Sequence, residues 1–310
     1  MRSVSKHLTR GPRLALSVGL AAMLTGTPLH AQTDFETTEI ADGVYQFRWI
    51  GHNGMFVTTD DGVVAIDPIG VDAANVLASE IRRIAPGILL AAIVYSHSDA
   101  DHSTGAAALM EAMGQEGVPI IAHQNALAPI RAQASADQPM PNATFSDELR
   151  WQIGGRWIEL HYLGPSHTDN MVVPFIPDVG VAFSVDFVAL DRMGYQDLPG
   201  WQFPEFFDAV SSLLDIPFQT MVFGHGPPGD RAAIQRQIAY YDDLTAAVRA
   251  AFAQGLTEDQ AAQHIRLDHY ANWDNYEDWF PLNVRAVYRW IAEEASTDPR
   301  FVPEATISDD

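Results

Sequence analysis

The 310-residue chain has no cysteine, which excludes disulfides and any thiolate-ligated metal. Lysine is nearly as scarce, Lys6 being the only one. Basic residues number 18 against 40 acidic ones, for a formal net charge of −22. A surface of that sign repels phosphate backbones and anionic membranes, so neither nucleic acid nor a membrane surface is expected as a partner. Nor is there a run of about 20 apolar residues able to span a bilayer. What the chain does have is 47% hydrophobic residues, enough to bury a full core that must be held by packing and bound metal alone.

The first 31 residues differ from the rest. Arg2, Lys6, Arg10 and Arg13 lead into the apolar stretch Leu14 to Leu24, followed by small and polar residues ending at Ala31. That order reads as a secretory signal cut after Ala31, which places the mature chain in the periplasm or outside the cell. Its removal would take away four basic side chains and move the charge to about −26.

Past this segment, Val44–Ile50 and Met55–Thr59 read as strands, with Asp60-Asp61-Gly62 turning the second into Val63–Asp67. Residues 72–84 carry helical periodicity, and Leu89–Tyr95 is an apolar strand. A helix is expected over Ser103–Met113, capped by Ser103 or Thr104, then a short strand at Val118–Ala122 and a polar loop over 131–147. Further strands are expected at Arg156–His161, Met171–Phe175, Val181–Val185 and Thr220–Phe223. Helices are expected at Phe203–Leu214, Ala232–Phe252 and Leu282–Glu294.

Chemistry concentrates where four of these strands end. The first is followed by His97-Ser98-Asp99-Ala100-Asp101-His102, too many ionisable groups for a core without partners. The others lead to His167, in Gly164-Pro165-Ser166-His167-Thr168-Asp169-Asn170, to Asp186, and to His225 in Gly224-His225-Gly226. Imidazoles and carboxylates delivered to one sheet edge suit a metal centre.

This ordered set resembles the metallo-β-lactamase-fold hydrolases, whose pattern is His-x-His-x-Asp-His, then a histidine before threonine, an aspartate, and a final Gly-His. The resemblance implies an α/β fold, a four-layer αββα sandwich of the metallo-β-lactamase type, formed by residues 32–310 as a single domain with a helical C-terminal portion. It implies two divalent metal ions, one held by His97, Asp99 and His167, the other by Asp101, His102 and His225, with Asp186 between them. Asp99 stands where most zinc members have histidine. Zn2+ remains the expected ion, and the harder carboxylate widens the choice to Fe2+ or Mn2+.

The implied reaction is hydrolysis of a small-molecule substrate by a water activated between the ions, with Asp101 orienting it and carrying its proton. A cyclic amide or related acyl bond, as in a β-lactam, is the first expectation, since Gly164–Asn170 is close to the corresponding lactamase segment. Against it, lactamases commonly anchor the substrate carboxylate with a lysine, absent here, and Arg192 is the nearest basic residue after Asp186. An esterase or lactonase is the alternative, and a non-catalytic exported metal-binding protein the third reading. Expected substrate contacts are Asn170, Arg192, Tyr195, and Trp49 with His52–Met55 as a hairpin lip over the pocket. Tyr95 and Thr168 are candidates to support the ligands.

Overall fold

The computed structural model describes residues 35–297, so the segment read as a signal lies outside the described residues. Seven strands form the first sheet in chain order: β1 (Phe35–Ala41), β2 (Val44–Trp49), β3 (His52–Thr59), β4 (Gly62–Ile66), β5 (Leu90–Val94), β6 (Ile120–His123) and β7 (Ala143–Phe145). The first four pair antiparallel, and β4 to β7 run parallel. The second sheet holds β8 (Glu148–Ile153), β9 (Arg156–His161), β10 (Val173–Ile176), β11 (Val181–Ser184) and β12 (Thr220–Phe223), antiparallel except for the β11–β12 pair.

Strand periodicity divides the core in two. Along β4, Val64 and Ile66 face the second sheet and meet Ile158, Leu160, Val173, Phe175 and Phe183, whereas Val63 and Ala65 face outward. The outward set packs against α1 (Val71–Ile84), whose buried stripe is Ala73, Ala74, Leu77, Ala78 and Ile81, and against Leu109 of α3 (Ala106–Met113). Across the molecule, α5 (Glu205–Ser212), α6 (Arg231–Ala253) and α8 (Tyr276–Thr297) bring Phe206, Ile234, Tyr240 and Phe280 onto the second sheet. The result is a helix–sheet–sheet–helix sandwich, and both faces of β4 and β5 are covered, which is why their sequences are apolar throughout. No helix among the described residues is long and apolar enough to cross a membrane.

Three local expectations are corrected. The helix expected over Ser103–Met113 is two pieces, a single turn α2 (Ala100–Ser103) and then α3, broken at Gly105. A Cβ there would sit 2.3 Å from the Pro68 carbonyl oxygen, so the chain bends where it crosses that backbone. The loop expected over 131–147 contains the end of α4 (Leu127–Gln133) and the edge strand β7. Strands β1 and β8 were not expected from the pattern, since both are half-exposed and carry no apolar run.

Candidate metal centre

Strand direction gathers the site. β4 and β5 run parallel, so Asp67, Ser96 and His97 leave the first sheet at one edge, and β3 begins at that edge because it runs antiparallel to β4. In the second sheet, β11 and β12 end there too and release Asp186 and His225. The loop before β10 is drawn in by a Val172 N–H bond of 2.6 Å to the Ser96 carbonyl, which brings His167 alongside. Asp67 and Asp186 both lie in the left-handed region, at φ 52° and 63°, a conformation aspartate tolerates better than most residues.

The ligand-type atoms form two adjoining groups. His97, Asp99 and His167 make one, and His52, His102 and His225 the other, each with its atoms within 4.8 Å of one another. Asp186 stands between them: its Oδ2 lies 3.1 Å from His97 Nε2 and 3.7 Å from His102 Nε2, and its Oδ1 lies 2.8 Å from His225 Nε2. Asp99 Oδ2 is 3.1 Å from His167 Nε2. Asp101, its side chain 57% exposed, lies 3.2 Å from His52 Nε2 and 4.0 Å from His102 Nε2.

Burial would raise the Asp186 carboxyl, yet His102, His225 and His97 hold it well below the usual carboxylate range. His167 and His97 do the same for Asp99, and His52 holds Asp101 down. Burial would lower His97, but Asp186 and Asp99 beside it push it up to about 10. Protons on imidazoles thus balance ionised carboxylates, a task a divalent cation performs with fewer compromises. The buried Nε2 of His102 makes no hydrogen bond at all, a cost that ligation would remove.

Behind the ligands lies a residue the sequence reading passed over. Asp67, fully buried, accepts bonds from the Ser96 N–H at 2.7 Å and the Ser96 hydroxyl at 2.6 Å, and its Oδ2 is 3.3 Å from His102 Nδ1. The Ser96 hydroxyl is in turn 2.9 Å from His97 Nδ1. One carboxylate therefore holds His97 through Ser96 and stands beside His102 in the other group. His225 is oriented separately, by Nδ1 donating to the Gly51 carbonyl at 2.7 Å.

All seven expected metal ligands stand at this edge, and His52, expected only in a hairpin lip, joins them. The expected substrate contacts are scattered. Asn170 is buried, its amide oxygen accepting from Ser98 N–H at 2.9 Å, so it shapes the ligand loop and is not exposed to a substrate. Trp49 packs against the outer core instead of roofing the site. Tyr95 points away, donating to the Pro139 carbonyl, and the Thr168 carbonyl accepts from Ser166 N–H within its own loop. Arg192 and the half-exposed Tyr195 both rest on Trp279 of α8, the guanidinium 5.1 Å from the ring centre. Burial weakens the hold of Arg192 on its proton, while Asp274 and Asp186 strengthen it.

Residues 47–225 match the family model described as the metallo-beta-lactamase superfamily. No curated protein matches the chain. Among solved structures, a metallo-beta-lactamase from Pontibacter korlensis is 22% identical with a TM-score of 0.56, over 67% of this chain and 99% of that one. A stereoselective inverting sec-alkylsulfatase from Pseudomonas sp. is 19% identical with a TM-score of 0.68, over 86% of this chain and 52% of that one.

Proposed function

The chain belongs to the metallo-beta-lactamase superfamily and is a hydrolase of that fold; from this premise we propose that it opens a cyclic amide or a related acyl bond in a small molecule, after export to the periplasm or beyond. In this reading residues 1–31 are the export signal and residues 32–310 the working domain. The observation that carries it is the convergence of His97, Asp99, His167, His102, His225 and Asp186 from both sheets on one edge.

His97, Asp99 and His167 would hold one ion and Asp101, His102 and His225 the other, zinc first, with Asp186 shared. When bound, such ions supply an activated water and polarise the bond under attack. The protein residues do the rest. Asp67 and Ser96 hold the His97 and His102 rings, so that their Nε2 atoms face the site. Asp101, the most exposed carboxylate of the cluster, would take up at Oδ2 the proton lost by the attacking water and return it to the leaving group. Arg192 receives an anionic group of the substrate. Among the described residues its guanidinium stacks on Trp279 and has no hydrogen-bond or ion-pair partner, leaving its donors free for a carboxylate or sulfate.

That free guanidinium also favours a second reading, cleavage of an alkyl sulfate ester, and the sec-alkylsulfatase overlaps more of this chain than the lactamase does. One panel separates the two: zinc- and manganese-loaded enzyme and its Arg192→Ala variant on a chromogenic β-lactam, homoserine lactones, aryl esters, alkyl sulfates and phosphodiesters. Turnover of the β-lactam or the acyl esters, with KM for anionic substrates raised about tenfold in the variant, is expected. Turnover of alkyl sulfates alone would establish the second reading, and turnover of phosphodiesters alone would reject both.

A further inference from the structure

We propose that His52 is the third nitrogen ligand of the second metal position, which makes the two positions chemically unlike: three imidazoles in one, two imidazoles and the Asp99 carboxylate in the other. The inference rests on the metal-dependent reading above and concerns which residues hold which ion. His52, His102 and His225 form a near-regular triangle, with ring centres 5.4, 5.4 and 4.8 Å apart and ligand atoms within 4.8 Å. Two of the three rings need no further argument, since His102 is buried with an unbonded Nε2 and His225 has its Nδ1 committed to a carbonyl.

The third is held just as firmly, though its hairpin looks from sequence like a loose lip. Asn53 N–H donates to the Gly224 carbonyl at 2.7 Å, and the Asn53 amide donates to the Phe223 and Gly226 carbonyls at 2.8 and 2.7 Å. The Gly51 carbonyl accepts from His225 Nδ1. His52 is thus flanked on both sides by bonds to the loop that carries His225, which joins the first sheet to the second across the metal edge. One residue further, β3 runs so close to Asp67 that a Cβ on Gly54 would lie 2.3 Å from its carbonyl oxygen. A backbone fixed this tightly places the His52 ring beside two ligand imidazoles, preorganised for the same ion.

One consequence follows. The nitrogen-rich position would favour zinc strongly, while the Asp99 carboxylate would narrow the margin by which the other position prefers zinc over a harder cation such as manganese(II) or iron(II).

The rival role for His52 is to position Asp101 by a hydrogen bond, and metal binding distinguishes the two. Metal-free wild type, His52→Ala, Asp101→Asn and the double variant are titrated with zinc, with manganese, and with both, and ion content is read by elemental analysis, with cobalt(II) absorption as a second signal from the coordination sphere. Wild type should take two ions. His52→Ala should keep one and bind the second at least tenfold more weakly, and should do so in the Asp101→Asn background as well, where the Asp101 carboxylate is already gone. Two ions bound by His52→Ala with wild-type affinities and an unchanged cobalt spectrum would overturn the assignment while leaving the hydrolase reading intact. A wild type that takes up no ion would overturn both.

Discussion

Replacing Asp67 by asparagine tests whether one buried carboxylate governs both ligand groups. The shape is kept, and asparagine accepts the left-handed backbone at φ 52°. What changes is that one of two acceptor oxygens becomes a donor. In the native network, the Ser96 hydroxyl donates to Asp67, so it accepts from His97 Nδ1–H, while His102 Nδ1 lies 3.3 Å from the same carboxylate without a hydrogen bond. With a metal bound, both Nε2 atoms would then face the site with their lone pairs. If the asparagine nitrogen takes the Oδ2 place, it must donate to the Ser96 hydroxyl, which then donates to His97 Nδ1, and both imidazoles are driven to the tautomer with the proton on Nε2. Losing such support typically weakens metal binding about 10- to 100-fold, roughly 1.4–2.8 kcal/mol per ion. If the amide turns the other way, the ligands survive but its nitrogen faces the buried Ser96 N–H, 2.7 Å away in the native structure. An unsatisfied donor there costs about 1–3 kcal/mol, a drop of a few degrees in melting temperature. Competition against a chelator and thermal denaturation of the metal-free protein read the two outcomes. A variant with both affinities and the melting temperature at wild-type values would refute the claim that Asp67 orients these rings.

Exchanging Asp99 for histidine removes the carboxylate from the first group and should raise zinc affinity relative to manganese there; an unchanged ratio in competitive titration would place Asp99 outside the coordination sphere. The metal-free protein should be most stable between about pH 4 and 6.5. His97, pushed up to about 10, contributes fully below its unfolded value and loses that contribution as pH rises through about 10. Asp99 and Asp186, held low, contribute above the ordinary carboxylate range and lose it as pH falls. Because a metal must displace these protons, uptake at neutral pH should release them, detectable as a buffer-dependent heat of binding. A heat independent of buffer ionisation would contradict the proton balance described here.

How far the sequence discloses this site depends on how each residue gets there. His97 to His102 are legible because they follow an apolar strand directly and stand together in one short segment, Asp186 because it too follows an apolar strand directly, and His167 and His225 because each follows a strand and a Gly or Pro turn. The sandwich is legible for the same reason, since strands covered on both faces must be apolar, as β4 and β5 are. The edge strands β1 and β8 are not, because one face of each is wet and the pairing partner, not the side chains, fixes the strand. Asp67 hides for a different reason. It ends a strand before a proline, where an aspartate reads as an ordinary turn residue, and only the parallel pairing of β4 with β5 sets it behind Ser96. His52 hides most completely. Its neighbours Gly51, Asn53 and Gly54 read as a hairpin turn, and those are the residues that clamp it: Gly51 offers a carbonyl to His225, Asn53 bonds across to the other sheet, and Gly54 lets the strand approach Asp67. Glycine and asparagine signal both a loose turn and a tight junction between sheets, and the difference lies in partners about 170 residues away.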